Sequence, residues 1–341
     1  MTDFWLMYWN VDKPPLASTA RPLDGLARAI AAATSPAPSL IAFSEVQNGE
    51  VLKPLADSLM ELTGRAYRYT NLHRGEAKAW LDAGVLYDVQ DINSVDVADT
   101  VRGGTGSHTR RCAACRCVLT GGQPFLLYVN HWWSQPGNAV INDAKRRELA
   151  RWLWHSVRAA PEAHVVAVGD FNVEPFDAAL TATAPLAASV VEACPSAIAL
   201  EHPEIAANRS GHEFGPPLTT RQAAAAPARP GQLPLFNPTW RLMNPVAGSE
   251  ADGRSTLTPP PGSFYYPDTH TWHAFDQLLV SGAVLQDGPL RLDERSVHYA
   301  TPASPDDSGG ALLWNADQPD ARLSKHFPLL ARFRVQSPTG A

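Results

Sequence analysis

Apolar positions fall into short unbroken runs separated by helix-spaced sets. Phe4 to Val11 is an aromatic-rich run closed by Pro14-Pro15, which predicts a buried strand delivering Asn10 to one end of a sheet. Leu23 to Ala33 reads as an Ala-rich helix, and Ser39 to Phe43 as a second buried strand that ends in Ser44-Glu45. Val51 to Leu62 has helical spacing up to a stop at Gly64. Strand, helix, strand, helix is the opening of a layered α/β architecture.

From Arg65 the runs shorten: Tyr67 to Asn71, Ala83 to Tyr87, Ile92 to Val97, Ala113 to Leu119 and Pro124 to His131, with a hairpin at Gly121-Gly122. These predict a partly antiparallel sheet. Asp143 to Ala159 is the clearest helix, with Leu149, Trp152, Leu153 and Val157 on one face. His164 to Val168 is a β-branched strand running into Gly169-Asp170-Phe171-Asn172. Residues 194–262 are rich in Pro, Ala, Gly and Asn and have little periodicity, so they read as long loops inserted into the domain. Strand patterns resume at Ser263 to Tyr266, His273 to Ser281 and Phe327 to Val335. No repeat or break in composition marks a second core, and the expectation is one domain over residues 1–341.

Composition narrows the function class. With 45% hydrophobic and 18% charged residues in 341, the chain can bury a large core. A net charge of -6 argues against a protein that coats nucleic acid or binds membranes through a polybasic surface, while leaving room for a local basic cleft. Four cysteines are too few for a disulfide scaffold at this length. No leader pattern or membrane-length apolar run is visible, so the expected location is cytoplasmic. His108, Cys112, Cys115 and Cys117 suggest a zinc site, but the period-two cysteines fit a strand better and a second CxxC pair is missing. Arg102, Arg110, Arg111 and Arg116 form either a solvated edge or a contact for a polyanion. Trp132-Trp133, Tyr265-Tyr266, Trp240 and Trp272 are candidates for lining a substrate crevice.

Polar residues stand at the ends of several predicted strands: Asn10, Glu45, His131, Asp170 with Asn172, Asp276 and His326. Each taken alone has an ordinary reading as a cap, a turn former or a buried histidine. An α/β sheet gathers strand ends into one crevice, so together they can converge. Carboxylate and amide oxygens suit Mg²⁺ or Mn²⁺, and two imidazoles beside them suit phosphate oxygens. That combination points to phosphoryl-ester chemistry.

The segments Trp9-Asn10-Val11, Phe43-Ser44-Glu45-Val46, Asn130-His131-Trp132-Trp133-Ser134, Gly169-Asp170-Phe171-Asn172-Val173-Glu174-Pro175, Phe275-Asp276-Gln277-Leu278-Leu279-Val280-Ser281 and Leu323-Ser324-Lys325-His326-Phe327-Pro328 occur in one order across nearly the whole chain. In this the sequence resembles the endonuclease/exonuclease/phosphatase (DNase I-like) superfamily. The resemblance implies a four-layer α/β sandwich of two mixed sheets flanked by helices, and a metal-dependent phosphoesterase centre. It further implies that Glu45 ligates the cation with support from Asn10. Asp170 would orient or activate the attacking water, Asn172 and His131 would hold the phosphate, and Asp276 would fix the tautomer of His326, which contacts the phosphate in the transition state.

Lys325 departs from the family pattern, which usually has Asp in a Ser-Asp-His segment facing the metal. Three readings follow: the ammonium replaces part of the metal's charge, it points away, or the centre is impaired. Retained chemistry with reduced or altered metal binding is favoured, because every other motif residue is present. The expected function is a divalent-metal-dependent phosphodiester hydrolase, foremost a nuclease acting on DNA or RNA. The alternatives are a phosphatase or phosphodiesterase of a small molecule or lipid headgroup, and a catalytically impaired binding module.

Overall fold

A computed structural model describes residues 2–12, 21–72, 81–102, 110–134, 139–181, 235–243, 262–266, 270–300, 314–315, 318–319 and 324–336. The strands are β1 (Thr2–Asn10), β2 (Leu40–Ser44), β3 (Tyr67–Asn71), β4 (Ala83–Asp88), β5 (Ile92–Arg102), β6 (Arg110–Leu119), β7 (Pro124–His131) and β8 (Val165–Asp170). They continue with β9 (Leu235–Phe236), β10 (Phe264–Tyr266), β11 (Thr271–His273), β12 (Asp276–Ser281), β13 (Leu290–Tyr299), β14 (Trp314–Asn315), β15 (Gln318–Pro319) and β16 (Leu329–Val335). Three longer helices are α1 (Arg21–Ala33), α2 (Leu52–Thr63) and α3 (Ala139–Ala159).

Two mixed six-stranded sheets carry the fold, in the orders β13-β16-β1-β2-β4-β3 and β5-β6-β7-β8-β12-β9. Period-two alternation explains how they stack. On β7, Phe125, Leu127 and Val129 enter the core between the sheets, whereas Leu126 and Tyr128 face the outer layer with Leu149, Leu153, Trp154 and Val157 of α3. β8 repeats this, with Val166 and Val168 inward and Val165 and Ala167 outward. On the other side α1 and α2 cover the first sheet with Leu26, Ile30, Leu52, Leu55 and Leu59. The result is a four-layer α/β sandwich. Gly64 ends α2 at φ 70°, its N–H donating to the Met60 carbonyl at 2.9 Å, as its position in the sequence predicts.

Several sequence expectations need correction. Leu290–Tyr299 is a strand at the edge of the first sheet, which the sequence reading did not identify. The run from His273 to Ser281 is two strands, interrupted at Ala274-Phe275. Trp152 is exposed on α3, and Trp154, four residues after Ala150, takes the buried place. Within the expected insertion, Leu235–Phe236 pairs with β12 and Pro238–Met243 forms a 3-10 turn; residues 194–234 and 244–261 lie outside the described residues. Cys112, Cys115 and Cys117 are buried, and among the described residues none belongs to a ligand group close enough to hold a metal, so they pack as small hydrophobes. His108 and Cys194 lie outside the described residues. Arg116, on β6 between β5 and β7, pairs with Glu162 at 2.9 Å. Among the described residues no helix is long and apolar enough to cross a membrane.

Gly169 is required by close approach. A Cβ there would lie 2.3 Å from the Asn130 carbonyl oxygen of the neighbouring parallel strand. Gly169→Ala is therefore expected to destabilise the fold by about 3 kcal/mol and to displace Asp170 beside it. A denaturant midpoint within error of wild type would show that the β7–β8 pair can spread at no cost.

Candidate active site

The strand directions bring the polar ends together. β1 and β2 run parallel, and β16 runs antiparallel to β1, so the C-terminal ends of β1 and β2 and the start of β16 share one edge. In the second sheet β7 and β8 are parallel and β12 is antiparallel to β8, which aligns His131, Asp170 and Asp276 across three adjacent strands. The alternation that sends Val129, Val168 and Leu278 between the sheets sends His131, Asp170 and Asp276 to the same side. The site is the polar, open end of the inter-sheet core.

Asn10 spans the seam. Its amide NH₂ donates to Glu45 Oε1 at 3.2 Å and to Asp170 Oδ2 at 3.1 Å, and its Oδ1 accepts the Asp12 N–H at 3.0 Å. Asn10 thus presents hydrogens to the two carboxylates. His131 Nε2 lies 3.5 Å from Glu45 Oε1. Asp170 Oδ1 accepts the Asn172 N–H at 2.9 Å, and the Asn172 side chain donates to the Trp132 carbonyl at 3.2 Å. Asp12, Glu45 and Asn172 all occupy the left-handed region, at φ 48°, 61° and 52°. Non-glycine residues held there cluster at functional sites, where the surroundings enforce the conformation.

Asp276 Oδ2 and His326 Nδ1 are 2.8 Å apart, the carboxylate 0% and the histidine 8% exposed. One ligand atom from each of Asp170, Asp276 and His326 lies within 4.8 Å of the others, a group able to hold a cation. Burial and the charge of Asp276 raise the Asp170 carboxyl to about 7, against the lowering effect of His326. Burial alone would lower His326, but Asp276, through charge and hydrogen bond, and then Asp170 and Glu45 outweigh it and raise the imidazole to about 9. Asp276 Oδ1 is buried without a hydrogen-bond partner among the described residues. Asp170 and Asp276 beside His326, with Glu45 joined to Asp170 through the Asn10 amide and a buried Asp276 oxygen still unmatched, form a hard donor set that fits a divalent cation.

Lys325 lies at the exposed rim, paired with the residue that hydrogen-bonds Asn10. Its ammonium is 3.6 Å from Asp12 Oδ2, its partner among the described residues, and the side chain is 56% exposed.

Further residues hold the site that the sequence reading did not single out. The Asp170 N–H donates to the Tyr8 hydroxyl at 2.8 Å, and that hydroxyl lies 2.7 Å from Ser44 Oγ. Ser324 Oγ donates to the Asn10 carbonyl at 2.6 Å and accepts the His326 N–H at 2.9 Å. Ser263 Oγ accepts the Asp276 N–H at 3.0 Å. Phe264 forms a β-bridge with His326, and their ring centroids are 4.5 Å apart. Tyr8 lies beside a motif segment and Ser324 within one, without a role assigned to either; Ser263 stands only at the start of a predicted strand.

Of the aromatic candidates, Trp132 is buried against Phe171 and Trp133 lies under Lys145 Nζ at 4.2 Å. Tyr265 packs on Trp272, with centroids 5.0 Å apart.

Comparison with known proteins agrees with this architecture. Solved structures with the same arrangement include a humanized D. rerio TDP2 (14% identity, 98% of this chain and 99% of that one covered, TM-score 0.52). The human Nocturnin catalytic domain with bound sulfate anion matches at 16% identity, 98% and 95% coverage and TM-score 0.52. An endonuclease/exonuclease/phosphatase family protein from Bacteroides thetaiotaomicron matches at 13% identity, 98% and 98% coverage and TM-score 0.50. At such identities the likeness establishes the fold. No curated protein matches the sequence. The model of the Endonuclease/Exonuclease/phosphatase family matches residues 16–193, just over half of the chain, and the chain belongs to that family of phosphoesterases.

Proposed function

We propose that the chain is a divalent-cation-dependent phosphodiester hydrolase that cuts nucleic acid by in-line attack of water. The observation that carries this reading is the row of His131, Asp170 and Asp276, with His326 held by Asp276, facing Asn10 and Glu45 across the sheet seam. Mg²⁺ or Mn²⁺, held by Glu45 with the neighbouring carboxylates, would neutralise phosphate charge and orient the substrate.

The chain's own residues supply the rest. Asp170, raised toward neutrality, accepts a proton from the attacking water, which then forms the new bond to phosphorus as the bond to the leaving oxygen breaks. His326, its Nδ1 held by Asp276, directs Nε2 at the phosphate oxygens where negative charge builds. His131 and Asn172 hold the remaining oxygens. Lys145, whose Nζ lies 4.2 Å over the ring of Trp133, two residues along the chain from His131, would supply a cation for a further phosphate of a nucleic-acid strand.

Turnover of plasmid, single-stranded DNA, RNA, a generic phosphodiester and a phosphomonoester, each with Mg²⁺, Mn²⁺ or EDTA, tests the reading. Cation-dependent cleavage of a nucleic acid is the expected result. Turnover of the small esters alone would move the assignment to a phosphatase or small-molecule phosphodiesterase, and silence on all would point to a binding module. Because Lys325 pairs with Asp12 at the rim, chemistry should survive with lysine there. Lys325→Asp is expected to tighten Mg²⁺ binding about tenfold by exchanging a cation for an anion, with kcat altered less than about threefold. Unchanged affinity and turnover would remove position 325 from any action on the metal.

A further inference from the structure

A second carboxylate–imidazole pair stands beside the first. Glu174 follows Asn172 by two positions in the turn after β8, and both of its oxygens are engaged: Oε1 is 2.7 Å from His273 Nδ1, and Oε2 accepts the Ala274 N–H at 3.1 Å. The His273 ring stacks on Phe275 at 4.7 Å and meets Tyr266 edge-on at 5.2 Å, so its plane is held as well as its Nδ1. Nε2 has no hydrogen-bond partner among the described residues, and the side chain keeps 21% of its exposure, against 9% for His326.

The register relates the two imidazoles. His273 pairs with Phe264 across the β10–β11 ribbon, and Phe264 bridges to His326 on its other side. Directly paired residues project to one face, so the two histidines are neighbours on that face with backbones about 10 Å apart, two strand spacings. In both pairs a carboxylate accepts from Nδ1–H and leaves Nε2 facing outward, so that the imidazolium form of each ring donates from Nε2 to an anionic oxygen while the carboxylate balances its charge.

We propose that Glu174 and His273 form a second anion subsite, which takes the phosphate one sugar along the strand from the scissile one and so makes a polynucleotide, not an isolated phosphoester, the preferred substrate. His273 would touch that phosphate, and Glu174 would act as its positioning residue. This rests on the phosphodiesterase reading, but binding tests it separately.

With the full chain in EDTA, calorimetry should show thymidine 3′,5′-bisphosphate bound about tenfold more tightly than thymidine 3′- or 5′-monophosphate. His273→Gln should reduce that preference to within about twofold while leaving monophosphate binding unchanged. With Mg²⁺ present, the same variant should lower kcat/KM on an oligonucleotide about tenfold, mainly through KM, and leave bis(p-nitrophenyl) phosphate turnover unaltered. Glu174→Gln, which keeps a hydrogen-bond acceptor for Nδ1, should lose less than His273→Gln. No bisphosphate preference in the wild type, a preference retained in His273→Gln, or equal loss on both substrates would overturn the subsite. A preference that His273→Gln abolishes, in a protein that hydrolyses no phosphoester, would support the subsite and overturn the hydrolase reading.

Discussion

Replacing His326 with Ala should lower kcat by about 10³-fold, and removing its partner by Asp276→Asn should cost nearly as much. The two are expected not to add: the double variant should be no slower than His326→Ala, because Asp276 acts through the imidazole it holds at 2.8 Å. Stability should fall as well. Asp276 is fully buried and its charge and hydrogen bond raise the buried His326 imidazole to about 9, so exchanging the carboxylate for an amide leaves that imidazole without its counter-charge. Asp276→Asn is therefore expected to melt below the wild-type temperature in EDTA near neutral pH as well as being nearly inactive. Single-turnover rates and melting curves on the four proteins of the cycle check this. Additive losses would show that Asp276 acts on the substrate or metal independently of His326.

The metal-free protein should lose stability steadily as pH rises from about 4 to 9, and a divalent cation should restore it most at the alkaline end. Asp170 moves from an ordinary 3.8 to about 7 in the folded chain, which therefore holds a proton the unfolded chain has released. That contribution declines as pH climbs through this interval. His326 moves from 6.5 to about 9, so its contribution is complete below 6.5 and is lost as pH rises through 9. A cation prefers the deprotonated carboxylates and so competes with these protons. At a Mg²⁺ concentration near 100 times Kd the gain should be about 2.7 kcal/mol at pH 8.5, or a rise of about 4 °C in Tm, falling toward zero at pH 5.5. A shift of equal size at both pH values would mean that the cation sits elsewhere.

Much of the architecture was legible because both sheets are buried on two faces. β7 and β8 appear as continuous apolar runs whose alternate members serve two cores, and their polar ends stand out against that background. The same contrast made the strand-end positions of Asn10, Asp170 and Asp276 readable. β13 was not legible for the opposite reason. It is an edge strand, its charged Asp293-Glu294-Arg295 fall where the register slips, and Asp293 meets Arg332 and Arg334 of β16 instead of a core. Ser263 was missed because its role depends on a backbone N–H thirteen residues away, which no spacing rule reports. The bridging of Glu45 and Asp170 by the Asn10 amide likewise depends on the join between two sheets, a relation that local pattern does not carry.

The pairing of Thr2 with Val335 has a bearing on how the protein is made. Asn10 waits on Ser324 for its carbonyl's donor, and Asp276 waits on His326, so a nascent chain has no working centre until residues 324–335 have left the ribosome. At about 5–20 residues per second, synthesis passes through many seconds in which β1 has no antiparallel neighbour and the catalytic groups remain scattered. A nuclease of the kind proposed would thereby be harmless to the messenger and ribosomal RNA around it during its own translation, and would become competent in the same event that closes its first sheet.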